Sequence, residues 1–269
     1  MSDPVFAFSD RGVTEAYQKY LVPLLFAPWA RVLIEALDVR AGESLVDVAC
    51  GPGTVAKAAA ERVGESGFVV ATDLSPEMLE VARETTPASA RIRYECAPAE
   101  RLPAADASFD ALTCQQGLQF FSDRVAAIAE MRRVLRADGR AGIATWTTIE
   151  DAPFLHCVRE AIATALPDIA AQAAKPFSLP DPKMLKSELE AGGFDVVVDT
   201  FSLPLEFESL ERAVEAIRGQ PIWPHIAALP TPARANVLES VREGFSRYLH
   251  HGRVLTAMRS NLAIARRRA

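Results

Sequence analysis

The residues best suited to chemistry lie in one short stretch. Val46-Asp47-Val48-Ala49-Cys50-Gly51-Pro52-Gly53-Thr54 runs from an apolar segment into an Ala-rich one. Glycines in such a loop let a ligand approach the backbone closely, and the following helix offers it unpaired N–H groups. Asp73 closes the next apolar segment, residues 68–72, where a carboxylate can accept both hydroxyls of a ribose. Asp47 sets a second negative charge inside the strand that leads into the loop.

Two ligand chemistries fit this pattern. Gly51-Pro52-Gly53-Thr54-Val55-Ala56 matches G-x-G-x-x-A, with Asp73 near the spacing expected for a dinucleotide. S-adenosylmethionine also carries a ribose and an adenine, but has an ammonium and a sulfonium in place of a pyrophosphate. Asp47 suits that cationic ligand and is awkward for a pyrophosphate. A tight strand–helix turn that binds nothing is the plain alternative.

Candidates for a base are His156, His225, His250, His251, Tyr17 and Tyr20, histidine being the side chain that titrates near neutrality. His250-His251 sit near a predicted helix end and read as a solvated cap. His156 falls in a predicted helix and His225 in the aromatic loop Ile222-Trp223-Pro224-His225. Tyr17 and Tyr20 lie in a predicted N-terminal helix, where either ring can close over the ligand or simply pack. Gln115 and Gln119 follow a predicted strand and can orient an acceptor, or Phe120 and Phe121 beside them can start a helix. Trp146 ends another strand, lining a pocket or closing the core.

The elements that must hold these residues alternate in period. Residues 44–49, 68–72, 92–96, 109–114 and 140–146 read as strands, separated by helical segments. Ser75-Pro76-Glu77 and Asp181-Pro182 are helix starts, with a cap, a proline in the first turn and, at Glu77, an acid near the positive dipole end. Asp123 opens a helix predicted to run to Gly139. Residues 12–38 read as helical, broken near Pro23 and Pro28; 153–175 and 209–251 as further helix; 196–201 and 257–265 as late strands. Strands alternating with helices imply a parallel sheet covered on both faces.

Composition bounds the rest. The chain has 269 residues, 49% of them hydrophobic, and a net charge of −6. That is one large globular domain, or a domain with a cap. The negative balance argues against general nucleic-acid binding, which needs a basic face. Cys50, Cys96, Cys114 and Cys157 form no CxxC pair and show no zinc spacing, so free thiols, a cytoplasmic setting and no metal are expected. Met1-Ser2-Asp3-Pro4 lacks the basic start of a signal peptide, residues 21–30 are too short to span a membrane, and Arg266-Arg267-Arg268 reads as a solvated tail.

The glycine block resembles the D-x-G-x-G-x-G motif of class I S-adenosylmethionine-dependent methyltransferases, with Ala49 at the first glycine. Ala71-Thr72-Asp73-Leu74-Ser75-Pro76-Glu77-Met78-Leu79, Ala97-Pro98-Ala99-Glu100-Arg101-Leu102-Pro103, Ser108-Phe109-Asp110-Ala111-Leu112-Thr113 and the stretch from Glu130 to Gly142 resemble its later segments in order. The match covers roughly residues 40–150, in a style similar to ubiquinone/menaquinone-type C-methyltransferases. The resemblance implies a doubly wound, mostly parallel, seven-stranded α/β sheet, Rossmann-like, with helical lid segments. It implies residues 1–40 as a helical cap and 41–269 as the methyltransferase domain, with insertions at 151–177 and 208–252. It implies S-adenosylmethionine as cofactor, held by Asp47, Ala49, Cys50, Gly51, Gly53, Asp73, Leu74, Met78, Ala99, Glu100, Gln115 and Tyr20. Pro98 stands where the family often has an aspartate that binds adenine, and the histidine many relatives carry after the fourth strand is missing. The catalytic candidates are therefore His156, His225, Gln119 and Tyr20. The lid is rich in Phe, Trp and Pro, so a small apolar, aromatic or quinone-like acceptor is expected, with a homodimer as one assembly. A nicotinamide-dependent oxidoreductase and a non-catalytic S-adenosylmethionine binder remain the alternatives.

Overall fold

The structure is a computed structural model that describes Val5, Phe6 and residues 8–268. The expectation for Met1 to Pro4 and part of the 1–40 cap lie outside the described residues. Five parallel strands form the body of one sheet: β1 (Ser44–Val48), β2 (Phe68–Asp73), β3 (Ile92–Cys96), β4 (Phe109–Gln115) and β5 (Leu135–Trp146). Two long antiparallel strands complete it, β6 (Phe194–Phe207) and β8 (Arg253–Arg267), with a two-residue β7 (Leu249–His250) hairpinned onto β8. The order is β3-β2-β1-β4-β5-β8-β6. The predicted doubly wound, mostly parallel seven-stranded sheet is thus present, with the short β7 as an extra.

The chain leaves β1 toward β2 and β3, then returns to the other side of β1 as β4. That reversal opens a crevice beyond the carboxyl ends of β1 and β4, the place where open α/β sheets bind ligands. Helices α2 (Ala27–Ala36), α3 (Thr54–Val63) and α4 (Pro76–Glu84) accompany the first half of the sheet; α5 (Arg124–Val134) and α8 (Pro182–Ala191) accompany the second. Capping follows the predicted signals. Ser75 Oγ accepts from the Met78 N–H at 3.0 Å, Asp123 Oδ1 from Ala126 at 2.9 Å, and Asp181 Oδ1 from Lys183 at 2.8 Å.

A third core lies outside these two layers. It joins α1 (Arg11–Tyr20), the π-helical turn Val22–Phe26, α6 (Pro153–Ile162), α7 (Pro167–Gln172), α9 (Leu210–Ala216), α10 (Trp223–Ala227) and α11 (Thr231–Ser246). The distal halves of β6 and β8 run past the sheet into this cap, where Leu205, Phe207, Val254 and Met258 are buried with Phe154 and Phe245. Trp29 and Trp146 meet edge-on at 5.9 Å and connect cap to sheet. α2 divides its faces: Trp29 joins the cap core, whereas Ala30, Leu33, Ile34 and Leu37 cover the sheet.

Three local expectations need correction. The helix after Asp123 ends at Val134, not at Gly139. Apolar spacing continues to Leu135, but the last turn's carbonyls are taken from outside: Ala107 N–H donates to Arg133 O and Ser108 N–H to Val134 O. Leu135 then pairs with Phe109 as the irregular start of β5. The late strands are longer than 196–201 and 257–265, because they pair with each other along their whole length, from Phe194 with Arg267 to Phe207 with Val254. His250-His251 are not at a helix end: His250 ends β7 and pairs with Arg253, and His251 opens the turn to β8, in the left-handed region at φ 49°.

Candidate functional site

The glycine loop leaves β1 and turns sharply into α3. Ala49, Gly51 and Gly53 all adopt positive φ, at 55°, 53° and 78°. A left-handed conformation costs a residue with a Cβ about 1–2 kcal/mol, so Ala49 holds a place that favours glycine. Gly53 is further constrained: a Cβ there would fall 2.4 Å from the Tyr94 hydroxyl. The loop is tied down by Asp73 at the end of β2. Its Oδ2 accepts from the Gly51 N–H at 2.8 Å and its Oδ1 from the Ser75 N–H at 2.9 Å. Each oxygen retains a lone pair, so the carboxylate can still receive two hydroxyls.

A small recess of about 50 Å³ opens at this loop. Its floor is Asp47, Ala49, Cys50 and Gly51, and Gln115 from the end of β4 forms one wall. Tyr17 of α1 and Phe26 of the π-helical turn roof it, their rings 4.9 Å apart. Ser75 Oγ donates to the Phe8 carbonyl at 2.8 Å and Arg11 pairs with Glu84 at 2.9 Å, so the first cap segment is fastened to both ends of α4.

Charge in the recess is one-sided. Asp47 is 1% exposed; Oδ1 accepts from Thr113 Oγ1 at 2.7 Å, while Oδ2 is buried with no partner. Burial, the largest influence, raises its carboxyl to about 7, and the Asp73 charge adds to it. Burial also raises Asp73, against the bonds from Ser75 and Gly51. Among the described residues no Lys or Arg forms an ion pair with either. Burial, then the Asp73 charge, pushes the Tyr17 phenol well above its ordinary value, so it stays protonated. A ligand bringing positive charge and hydroxyls fits these groups. A pyrophosphate would meet two unpaired carboxylates.

The structure gathers some predicted site residues and disperses others. Leu74 lies beside Asp73 with its side chain 70% exposed, and Met78 is buried near Gly51. Ala99 is buried, and Glu100 Oε1 accepts from the Asp123 N–H at 3.5 Å and from Ser122 at 3.3 Å. Gln115 Nε2 donates to the Phe26 carbonyl at 3.1 Å. Tyr20 does not line the recess: its Cβ abuts Gly219 and Lys19 Nζ lies 4.8 Å from its ring centre. One turn earlier on α1, Tyr17 takes that place. Helical spacing alone could not choose between them, since residues three apart lie on the same side of a short helix. His156 sits on α6, 3.3 Å from Glu160, and His225 is exposed on α10; neither lines the recess. Trp146 is buried against Trp29 and Phe26. Gln119 is buried on the 3-10 turn Leu118–Phe120. Phe26 is a roof residue that sequence reading missed as a site residue; its only signal was its place in an aromatic N-terminal segment.

The fold and recess define a nucleoside-binding α/β protein with an acidic cradle. Residues 46–143 match the methyltransferase domain family. A ubiquinone/menaquinone biosynthesis C-methyltransferase UbiE of Geotalea uraniireducens is 38% identical over 123 residues, 45% of this chain and 52% of that protein. The UbiE of Paraburkholderia phymatum is 32% identical over 185 residues, 64% of this chain and 76% of that protein. The chain spans about half the length of the first curated relatives it matches. Phosphoethanolamine N-methyltransferase 2 of Haemonchus contortus, solved with S-adenosyl-L-methionine, shares the fold at a TM-score of 0.61 and 16% identity, over 97% of this chain and 58% of that one. The chain belongs to the class I S-adenosylmethionine-dependent methyltransferase superfamily.

Proposed function

We propose that this protein transfers a methyl group from S-adenosylmethionine to a small aromatic or otherwise apolar acceptor. The observation that carries the reading is the acidic, roofed recess: Asp47 Oδ2 is buried and unpartnered beside a glycine cradle, and Asp73 retains two free lone pairs. Asp73 would receive the ribose hydroxyls, and Leu74 and Met78 would flank the adenine, with Ala99 and Glu100 at its far edge. Asp47, Ala49, Cys50, Gly51, Gly53 and Gln115 would surround the methionine part. The cofactor, when bound, supplies an activated methyl on a sulfonium. What this chain adds is orientation and exclusion of water, through the Tyr17 and Phe26 roof. The roof and the cap core behind it are apolar and aromatic, which supports an apolar acceptor, as do the quinone-methylating names of the relatives. No helix among the described residues is long and apolar enough to cross a membrane, and all four cysteines are free, which suits a reducing cytoplasm.

Calorimetric titration with S-adenosylhomocysteine and NAD, followed by methyl release from labelled cofactor over phenols, quinols and keto acids, tests the reading. Binding of the sulfur nucleoside and labelled product from a flat apolar acceptor are expected. Tight NAD binding without S-adenosylhomocysteine binding would overturn it, and cofactor binding without transfer to any acceptor would leave a binding protein.

A further inference from the structure

Asp73 divides the carboxyl edge of the sheet. On its β1 and β4 side lies the recess, lined by Asp47, Ala49 and Gln115. A nucleoside whose ribose sits on Asp73 and whose amino-acid end enters that recess must run its base the other way, toward the end of β3. There Cys96 pairs with Asp73 in register, and the Ala97 N–H donates to the Asp73 carbonyl at 3.0 Å. Residues 97–101 therefore flank the outer edge of the base, where adenine carries its 6-amino group, a donor.

That loop offers the amino group no free side-chain acceptor. Pro98 has neither an N–H nor a polar side chain, and its carbonyl already accepts from the Arg101 N–H at 3.1 Å. Ala99 is buried and apolar, and the Arg101 side chain carries donors only. Cys96 has a thiol, a weak acceptor, 3.6 Å from the Leu74 carbonyl. The one carboxylate, Glu100, is engaged elsewhere. Its Oε1 accepts from Ser122 Oγ at 3.3 Å and from the Asp123 N–H at 3.5 Å, at the start of α5, where the helix dipole favours a negative charge. The loop is also held in this position from α5. The Leu102 N–H donates to Glu130 Oε2 at 2.9 Å, and Arg133 donates to the Leu102 carbonyl at 3.2 Å. Leu74, by contrast, stands 70% exposed, an apolar surface with room for a flat ring.

We propose that the site holds the purine by apolar contact with Leu74, Met78 and Ala99 and does not read its 6-amino group, Pro98 being the specificity-determining position where that reading is missing. This rests on the methyl-transfer reading above and adds the range of nucleosides taken: sulfur nucleosides of a purine with or without the 6-amino group. Apolar contact is indifferent to that substituent. A carboxylate at the same place would reward the donor and, left unpaired, penalise an analogue lacking it.

The test titrates S-adenosylhomocysteine and its 6-deamino analogue, in which hydrogen replaces the amino group, into the full chain by calorimetry, for wild type and Pro98→Asp. The wild type is expected to bind the two within about two-fold of each other; a larger preference for S-adenosylhomocysteine overturns the proposal. Pro98→Asp is expected to prefer S-adenosylhomocysteine by about ten-fold, as one charge-assisted hydrogen bond would give. An unchanged ratio in that variant overturns the placement of Pro98 beside the amino group. Should Pro98→Asp not fold, the wild-type ratio alone decides. Failure of the wild type to bind either nucleoside is a different result: it overturns the methyl-transfer reading, and the proposal falls with it.

Discussion

Asp47 makes the recess sensitive to pH in a way that can be measured without any substrate. Its carboxyl is raised from 3.8 to about 7, chiefly by burial. A raised acid keeps its proton in the folded chain while the unfolded chain has lost it. The folded state then binds more protons than the unfolded state between about pH 4 and 7, so stability falls as pH rises through that window. The slope from one such group is about 1.4 kcal/mol per pH unit. Between pH 5 and 8 the ligand-free protein should lose about 3 kcal/mol through Asp47 alone. Asp47→Asn keeps an oxygen for the Thr113 hydroxyl and cannot ionise. Urea unfolding of both proteins across pH 5 to 8 isolates the effect, because every other titrating group is common to them. The wild-type curve should drop relative to the variant by about that amount and then run parallel above pH 7. Cofactor binding should do the reverse, since a cation beside Oδ2 favours the charged form and releases a proton near pH 6. Calorimetry in two buffers of different ionisation enthalpy reads that proton, and Asp47→Asn should release none. Parallel stability profiles for the two proteins throughout would refute a buried, unpaired acid at this position.

Other substitutions test the cradle and its roof. Asp73→Ala is expected to abolish S-adenosylhomocysteine binding, and to cost about 1–3 kcal/mol of stability by freeing the Gly51 and Ser75 N–H groups; unchanged affinity in a titration would remove Asp73 from the ribose site. Ala49→Gly should leave the loop's shape intact and raise stability by up to about 1 kcal/mol, since φ 55° suits glycine, read as a higher Tm. Gly53→Ala should lower Tm, because its Cβ would collide with the Tyr94 hydroxyl, and Tyr94→Phe in the same chain should recover part of the loss. Tyr17→Ala should weaken cofactor binding several-fold while Tyr20→Ala leaves it unchanged; equal effects would mean that the ring of Tyr17 does not roof the ligand.

Much of the sheet was legible because its signals are local. A run such as Val46 to Val48 followed by glycines, or Ser75-Pro76-Glu77, encodes a strand end or a helix start within a few residues, and the structure places each where the pattern indicated. The end of α5 was not legible, because Leu135 continues the helical spacing and only the N–H groups of Ala107 and Ser108 stop it. The length of β6 and β8 was hidden for a related reason, since their outer halves are held by pairing with each other, down to Phe207 with Val254, and neither segment shows that register alone. Arg259, Ser260 and Asn261 look unlike strand, yet Ser260 and Asn261 are buried with partners from β5, the 116–119 turn and Pro180. On the site side, the histidines drew attention by residue type alone, and none of the four lines the recess.

The amino-acid sequence by itself determined the cradle. Backbone conformation in a tight loop and a carboxylate one strand later depend on near neighbours, so Gly51, Gly53, Asp47 and Asp73 could be picked out by order and spacing. Tertiary structure decided everything that needs distant residues to meet. It put Tyr17 rather than Tyr20 at the recess and brought Phe26 beside it, because the chain folds back through the π-helical turn Val22–Phe26. It left Asp47 buried without a cation, which raises its pKa. Burial and hydrogen-bond orientation are properties of the packed chain, and no local pattern carries them.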